Sequence, residues 1–312
     1  MTASELEKND SIVDNRFEIL FLYDVEEGNP NGDPLNEDRP RIDKATGENI
    51  VTDVRLKRTV RDYFINQYDD DGTRVFVRSA EKDDGTLKTR EELIKEELGD
   101  VDLADASKAD IKDSLFDQYI DLRLFGATLA VEDVNIGQTG PTQFKMGRSF
   151  HEVNTRYIQQ SVTLPSEADA KQGTFADRYD LPYSLIRFHG IVNENNAAET
   201  GLTYDDIHYL ADGLWNGTKS LITHSKMEHM PQLLLLVEYE EDNFHIGGLN
   251  HTIDIRSEKE DTEIRSLNDV ELINDDLLTR LDGHSEKIAG IHSESQLSIS
   301  LPAEIEHREL RL

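Results

Sequence analysis

The stretch Asn29–Arg61 reads NPNGDPLNEDRPRIDKATGENIVTDVRLKRTVR and joins a turn-rich loop to a basic helix. Pro30, Gly32 and Pro34 mark the loop, because proline and glycine interrupt regular structure. From residue 39 to residue 61, seven arginines and lysines stand against three acids, a local charge of +4 in a chain whose net charge is −31. An isolated basic segment in so acidic a chain predicts a polyanionic partner bound at this place.

The second half of this stretch predicts an amphipathic helix with Thr52 or Asp53 as its N-cap. Lys57, Arg58 and Arg61 lie within about 100° of arc on one side of it. A solvated helix face is the ordinary interpretation of such a pattern. The acidic background and the adjacent Arg-Pro-Arg sequence favour a binding surface instead. The apolar stripe of the helix consists of Leu56, Val60, Tyr63 and Phe64.

An apolar run, Phe17–Val25, precedes this stretch and predicts a strand that is central in a sheet. Later strands are predicted at Tyr183–Val192 and Gln232–Tyr239. The segment Thr203–Ile222 predicts the clearest helix, with Thr203 as its cap and Trp215 on its core face. This order is a split βαβ pattern, which predicts an α+β, ferredoxin-like (RRM-like) palm. Residues 1–312 are expected to form a single such domain with insertions.

Weaker patterns predict additional elements. We expect helices at Asp113–Leu124 and Val270–Leu281, and short strands at Arg74–Val77, Gly140–Phe144, His251–Arg256 and Gln296–Leu301.

Three segments are expected to lie outside the palm. Residues 81–118 are acidic and helical in pattern, which predicts a helical insertion, although an ordinary surface layer of helices fits equally well. Residues 155–181 lack clear periodicity, and such a segment inside a compact chain is usually functional or disordered. Residues 1–15 are polar and predict a flexible N-terminus.

The overall composition excludes several classes of site. The chain has no cysteine, which rules out disulfides, thiolate metal sites and a cysteine nucleophile. No run approaches the about 20 apolar residues of a membrane span, and the N-terminus lacks the features of a secretory signal. A cytoplasmic protein without membrane contact is expected. The dispersed acids are typical of proteins that work in molar salt, and an acidic protein with basic partners is the alternative.

Four blocks of the sequence resemble one protein family in the same order. The first combines NPNGDP, RPRID and TDVRLKRTVRDY, and the later ones are YIDLRLFGA (Tyr119–Ala127), GPTQFKMGRS (Gly140–Ser149) and YSLIRFHG (Tyr183–Gly190). Together they resemble the RNA-binding backbone subunit of type I CRISPR–Cas complexes, the Cas seven family, most closely in its subtype I-B form. The resemblance runs from about Phe17 to Tyr239.

This resemblance implies a non-catalytic subunit that binds CRISPR RNA without a cofactor or metal. Several copies would line up along the guide RNA as the backbone of the antiviral surveillance complex, Cascade, and support recognition of target DNA through guide pairing. The implied partners are therefore CRISPR RNA, target DNA, other copies of the chain and other Cascade subunits. Residues 155–181 would be the thumb of the family, which reaches over the neighbouring copy.

The candidate RNA contacts fall into three groups. Lys57 and Arg61 are one helical turn apart and match the basic positions of the family's helix, so we expect them to be the main phosphate contacts. Arg39 and Arg41 flank Pro40, whose fixed backbone holds both guanidinium groups on an extended segment. The remaining candidates are Arg55 and Arg58 on the helix, Gln143, Lys145 and Arg148 in a second basic patch, and Phe175 and Arg178 in the thumb-like segment. In the second patch, Phe144 is either a stacking ring or a core residue.

Two other functions stay open from the sequence. Asp33 follows the first strand, and a carboxylate there is able to hold Mg²⁺ for RNA cleavage by a metal-dependent ribonuclease. Asp33 also lies in NGDP, where an aspartate side chain commonly stabilises a turn, and the turn role is favoured. The other alternative is a scaffold protein that assembles without RNA.

Overall fold

The computed structural model describes residues 10–68, 73–98, 107–131, 134–161 and 175–312. Seven α-helices occur within these ranges: α1 (Asp53–Gln67), α2 (Arg90–Leu98), α3 (Lys108–Gln118), α4 (Ile120–Phe125), α5 (Glu194–Thr200), α6 (Tyr204–Lys219) and α7 (Asp275–Asp282).

The strands of the described residues are β1 (Arg16–Gly28), β2 (Gly32–Asp33), β3 (Arg39–Pro40), β4 (Glu48–Val51), β5 (Gly126–Val131), β6 (Val134–Thr139), β7 (Thr142–Phe144), β8 (Gly147–Glu152), β9 (Arg156–Ser161), β10 (Phe175–Val192), β11 (His229–Tyr239), β12 (Asp254–Arg256), β13 (Glu271–Ile273), β14 (Ile288–Ser295) and β15 (His307–Glu309).

Strand β1 lies at the centre of the main sheet, whose order is β15-β14-β11-β1-β10-β8-β4. It pairs antiparallel with both neighbours, Phe21 standing opposite Phe188 of β10 and Leu234 of β11. Successive side chains of a strand point to opposite faces. Ile19 and Phe21 therefore join one apolar cluster with α1 and α6. Leu20 and Leu22 join a second cluster with α7 and the C-terminal strands. The apolar run thus predicts a central strand correctly.

Helix α1 is held at its start by the loop before it. The N-cap is Thr52, whose hydroxyl oxygen accepts the backbone N–H of Arg55 at 3.2 Å. The side-chain oxygen of Asn31 accepts the backbone N–H of Thr52 at 2.9 Å and its hydroxyl at 3.0 Å. On the other side α1 packs closely on α6, since a Cβ added to Gly213 would lie 2.8 Å from a methyl of Val60. The turn-rich loop therefore sets the direction in which α1 starts.

The clearest helix prediction and the two later strand predictions are confirmed. Helix α6 begins after Thr203, whose side chain and that of Asp206 form a capping box. Trp215 is buried in the cluster beneath α6, as predicted. Gln232–Tyr239 lies within β11, and Tyr183–Val192 is the second half of β10.

Four of the weaker predictions need correction. Arg74–Val77 is not a strand, because only Arg74 forms a bridge, to Tyr119. The helix predicted at Asp113–Leu124 is broken at Tyr119, where the backbone is extended and the N–H of Ile120 donates to the carbonyl of Arg74. The strand that pairs with β11 after α7 is β14 rather than Gln296–Leu301, because the residues that pair with β11 come earlier in the chain. The helix predicted from Val270 begins only at Asp275.

The predicted flexible N-terminus is also wrong for part of its length. Val13 is buried and its N–H donates to the carbonyl of Leu202 at 2.9 Å. Residues 1–9 lie outside the described residues.

Helices α2 and α3 pack with the β5–β6 hairpin around a separate apolar cluster that includes Phe76, Ile94, Leu115 and Leu129. The helical pattern within residues 81–118 is therefore present. That these residues are an insertion stays a prediction.

The ends of the thumb-like segment are regular rather than aperiodic. Strand β9 pairs antiparallel with the first residues of β10, from Phe175 opposite Ser161 to Asp180 opposite Arg156. Strand β10 continues without a break into the main sheet, so the segment extends an existing hairpin. The sequence shows no apolar periodicity in this segment because the ribbon does not cover a core. Residues 162–174 lie outside the described residues.

A buried carboxylate connects α1 to the α2–α3 unit. Asp121 has no solvent exposure and accepts from Nε of Arg61 at 2.8 Å. It also accepts the backbone N–H groups of Phe76 at 2.8 Å and Val77 at 3.2 Å. A buried charge that is paired and hydrogen-bonded in this way is costly to break by removing one partner.

We predict that Asp121→Ala lowers the free energy of unfolding by about 3 kcal/mol, because it leaves the Arg61 charge and two backbone N–H groups without an acceptor. Asp62→Ala is the matched control, since Asp62 also pairs with an arginine of α1, but at the surface. The control should lose less than about 1 kcal/mol. Urea unfolding followed by circular dichroism measures both, and equal losses would contradict the assigned role of Asp121.

Candidate nucleic-acid interface

The loop that follows β1 contains a hairpin of β2 and β3 that is fixed by its own side chains. The amide of Asn29 donates to the carbonyl of Asp38 at 2.6 Å. A carboxylate oxygen of Asp33 accepts the N–H of Leu35 at 3.3 Å, and the same oxygen lies 3.3 Å from Arg41. Asp33 therefore acts in the turn and in an ion pair. The described residues contain no group of three or more histidine or acidic side chains arranged to hold a metal.

Arg39 extends from this hairpin onto the base of the β9–β10 ribbon. Its guanidinium carbon lies 4.4 Å from the centre of the Tyr179 ring, and one nitrogen donates to the Tyr179 hydroxyl at 2.9 Å. The ring of Tyr157 lies 5.3 Å from that of Tyr179, and Tyr157 is 51% exposed. We call Arg39, Tyr179 and Tyr157 the arginine–tyrosine platform. The sequence predicts only Arg39 of these three residues, although tyrosines recur in the two facing strands.

Arg41 and Arg148 are largely neutralised within the chain. Arg41 pairs with Asp33, and Arg148 lies 2.9 Å from both Asp43 and Glu48. The hydrogen bonds that Arg148 donates to Asp43 and Glu48 raise its pKa. An acidic side chain therefore lies beside each of these arginines, and its charge reduces the attraction of this region to phosphate.

Lys57 and Arg61 lie against the protein rather than in open solvent. Both cations approach the ring of Phe125, at 5.5 Å and 5.0 Å from its centre. Lys57 also donates to Gln143 at 3.2 Å and lies 3.5 Å from Asp53. Burial lowers the pKa of Lys57. Arg61 is paired with Asp121, so the two predicted main contacts already have partners within the fold.

Arg58 and Lys145 are the more accessible cations of this region. The Arg58 side chain is 72% exposed and lies 3.4 Å from Asp62, the pairing that its spacing suggests. Lys145 is exposed, and its ammonium group has no partner among residues that the structure describes. Phe144 lies between the candidates Gln143 and Lys145. It is buried against Gly190 and is a core residue.

Arg55 turns inward, between α1 and β11. It is half-buried, and no acid lies within ion-pair distance of it in the described part of the chain. Burial lowers its pKa. His229, stacked on Tyr23 at 5.8 Å, has its pKa lowered to about 3 by burial and by the neighbouring charges of Lys226 and Arg55. The sequence does not predict that Lys226 or His229 lies near the helix, because both are distant from it in the chain.

The two candidates from the thumb-like segment lie on β10. Arg178 donates to the carbonyl of Glu27 at 3.1 Å and lies 3.7 Å from Asp180, so it fixes the ribbon to the end of β1. The side chain of Phe175 is outside the described residues.

Comparison with known proteins defines the family. A family model described as CRISPR-associated protein Cas7 matches residues 15–275. The chain belongs to the Cas7 family. It is 34% identical over 300 residues to the CRISPR-associated protein Cas7 of Haloferax volcanii, an alignment that covers 89% of this chain and 86% of that one.

The fold is similar to that of a chain in an assembly of known structure. A chain of a pre-nicking CRISPR RNA-guided surveillance complex superposes with a TM-score of 0.55 at 14% sequence identity, covering 94% of this chain and 96% of that chain. At this identity the likeness concerns the fold alone: a mixed α/β structure around a central sheet. Among the described residues, every helix is too short or too polar to cross a lipid bilayer.

We predict that Lys57→Ala and Arg61→Ala differ in their effects. If both residues contact RNA, the double variant loses RNA, but Arg61→Ala alone also destabilises the fold because it leaves Asp121 unpaired. Lys57→Ala should keep the wild-type melting temperature and lose part of the RNA. Co-purified RNA and thermal melting, measured for each single variant, separate the two effects. Full RNA retention in a folded Lys57→Ala protein would exclude Lys57 as a contact.

Proposed function

We propose that this chain is a non-catalytic subunit that binds CRISPR RNA and polymerises along it in a type I surveillance complex. Membership of the Cas7 family supports the proposal, as does the similarity of its fold to a chain of an RNA-guided surveillance complex. The observation that carries it is the arginine–tyrosine platform, which places stacking surface and positive charge side by side on a chain of net charge −31.

The platform suits single-stranded RNA for physical reasons. Bases stack on aromatic rings whatever their identity, and an arginine beside the rings meets the phosphate or stacks in its turn. Tyr157 and Tyr179 lie at the base of the β9–β10 ribbon, and Arg39 reaches them from the loop before α1. RNA that crosses this point would pass near the exposed cation Arg58 on α1. Such contacts are independent of sequence and leave specificity to base pairing.

The palm of this subunit is inferred to be ferredoxin-like (RRM-like). The strand order β11-β1-β10-β8 with antiparallel neighbours supports this, and so does the position of α1 and α6 on one face of β1. In this interpretation residues 81–118 are a helical insertion and residues 155–181 are the thumb. The paired ribbon of β9 and β10 gives the thumb a firm base.

Catalysis is not part of the proposal. The carboxylate of Asp33 accepts a backbone N–H of its own turn and pairs with Arg41, so its contacts are those of a structural residue. An RNA-independent scaffold would need neither the exposed rings nor the cations beside them. We infer that other copies of this chain, other subunits of the complex and target DNA paired to the guide are its partners, in the cytoplasm.

Polymerisation reconciles a weakly basic interface with stable RNA binding. Many candidate cations are paired with acids, and phosphate contacts weaken steeply with salt. When several copies bind one RNA, each later contact is intramolecular, and the effective concentration multiplies weak sites.

We predict that the double variant Tyr157→Ala/Tyr179→Ala binds RNA at least about tenfold more weakly per subunit, because stacking on an aromatic ring contributes about 1–3 kcal/mol per base. Tyr157→Phe/Tyr179→Phe keeps both rings and should retain most of the affinity. Fluorescence anisotropy with a short single-stranded RNA measures the change.

Arginine variants provide the matched control for charge. Arg39→Ala should weaken binding, whereas Arg256→Ala should not, although Arg256 is 70% exposed and pairs with an acid as Arg39 does. Wild-type affinity in the double alanine variant, with a native circular dichroism spectrum, would refute the platform as an RNA site.

We also predict that residues 162–174 act in assembly rather than in the fold of one copy. Ser161 and Phe175 are paired opposite each other, so a short Gly-Ser linker should close the ribbon without strain. The deletion must end before Asp180, which is buried and pairs with Arg156 at 3.0 Å. The shortened monomer should melt within a few degrees of the wild type.

Sedimentation and electron microscopy with long guide RNA test the assembly. The shortened chain should bind short RNA but no longer form extended RNA-bound assemblies. Assemblies of normal length would show that the segment is a surface loop, and an unfolded monomer would show that it is part of the core.

A further inference from the structure

An open pocket lies in the α2–α3 unit, between the start of α2, strand β5 and the segment before α2. Its volume is about 260 Å³. Pockets for drug-sized ligands measure about 300–1,000 Å³, so this one suits a side chain. The buried residues Phe76, Leu93 and Leu129 form part of its wall, and Val77 lines it with a side chain that is 50% exposed. The pocket therefore presents apolar surface to a partner.

The charged residues that line this pocket are all cations. They are Arg78, Lys88 and Arg90, and no acid is among the described residues of the lining. Arg90 donates to the carbonyl of Thr128 on β5 at 2.8 Å, and none of the described acids lies within ion-pair distance of it. In a chain of net charge −31, an apolar pocket surrounded by cations alone indicates an acidic partner.

Nearby acids balance these cations only in part. Lys88 pairs with Glu96 at 2.5 Å. Arg78 lies 3.7 Å from Glu97, but the same carboxylate lies 3.0 Å from Arg74, so two arginines share one acid. Positive charge therefore remains for a partner that brings carboxylates.

A complementary surface lies on the β2–β3 hairpin of the same chain. Leu35 at its tip is 98% exposed, and the exposed acids Glu37 and Asp38 follow it. Asp38 has no ion-pair partner in the part of the chain that the structure describes. The N–H groups of Asn36 and Asp38 both donate to the carbonyl of Asp33 at 2.9 Å, which fixes the turn. Leu35 is thus held outward before a partner arrives, and this reduces the entropy lost on binding.

We propose that the β2–β3 hairpin tip of one copy docks into this pocket of the next copy, with Leu35 against Val77 and Leu93. The acids of the tip then lie beside the cations of the pocket. Tip and pocket are different surfaces of the chain, so the contact is head-to-tail, and such contacts propagate into open helical assemblies. The inference rests on the proposed polymerisation along RNA and adds a contact that protein makes alone.

The walls of the pocket favour a peptide over a nucleic acid. Phe76 is the one aromatic residue among the described residues of the lining, and at 3% exposure it offers no ring face on which a base could stack. An aliphatic side chain flanked by carboxylates matches both the apolar wall and the cations. The hairpin tip supplies this combination.

Disulfide crosslinking tests the contact, because the chain has no cysteine of its own. The double variant Leu35→Cys/Val77→Cys, assembled on long guide RNA and mildly oxidised, should give a ladder of three or more linked copies on a non-reducing gel. Leu35→Cys/Ile222→Cys is the matched control, since Ile222 is 74% exposed and does not line the pocket. The control should give dimers at most.

Binding measurements separate this contact from the RNA site. Leu35→Ser should raise the protein concentration needed for assembly on long RNA about tenfold, because it removes the apolar anchor. Its affinity for a short RNA that holds one copy should equal that of the wild type. Arg90→Glu should behave in the same way, because it reverses one charge of the pocket.

Each outcome supports or overturns the inference. A double-cysteine variant that binds short RNA but gives no ladder, or a control that gives an equal ladder, would refute the docking contact and leave the proposed function standing. Loss of short-RNA binding in a folded Arg90→Glu protein would assign the pocket to nucleic acid. If the wild type binds no RNA, the proposed function fails, and crosslinking at high protein concentration without RNA still decides whether the contact forms.

Discussion

Burial of β1 on both faces is the constraint on which the rest of the structure depends. A strand whose side chains are apolar on both sides must be covered twice, and its two edges must be paired. One face receives α1 and α6, and the other receives α7 and the C-terminal strands. Strands β10 and β11 occupy the edges. The segment that leaves β1 forms the β2–β3 hairpin, adds β4 to the edge of the sheet and then enters α1, which brings Arg39 and the start of α1 to one end of the sheet.

Ion pairs within the fold decide which basic residues remain for a partner. Arg61 is held by a carboxylate with no exposure, and Arg41 and Arg148 face acids of the same hairpin region. A chain with about twice as many acids as bases leaves few cations unpaired. A count of basic residues therefore overestimates the positive surface, and the geometry of each residue has to be considered separately. Arg39 also pairs with an acid, Glu37, at 2.6 Å, and it differs from Arg41 and Arg148 in lying over an aromatic ring, that of Tyr179.

The arginine–tyrosine platform suits a flexible polyanion that brings both bases and phosphates, because a cation lies beside aromatic rings. The loop after β1 carries Arg39 to this platform, and its Asn31 accepts the backbone N–H of Thr52 at the start of α1. A change in this loop would therefore affect both the platform and the direction of α1.

The sequence by itself determined the central strand, helix α6 with its Thr203 cap, the core position of Trp215 and the family. These features rest on local periodicity, capping chemistry and short ordered motifs, all of which are visible along the chain. Only the tertiary structure decided that Arg61 is paired with Asp121 and that Arg55 turns toward His229. It also brought Tyr157 and Tyr179 beside Arg39. These contacts join residues that are far apart in sequence, and no local pattern encodes which acid or ring a given arginine will meet. Only the second half of β10 was predicted, because its first half is stabilised by pairing with β9 and not by an apolar face.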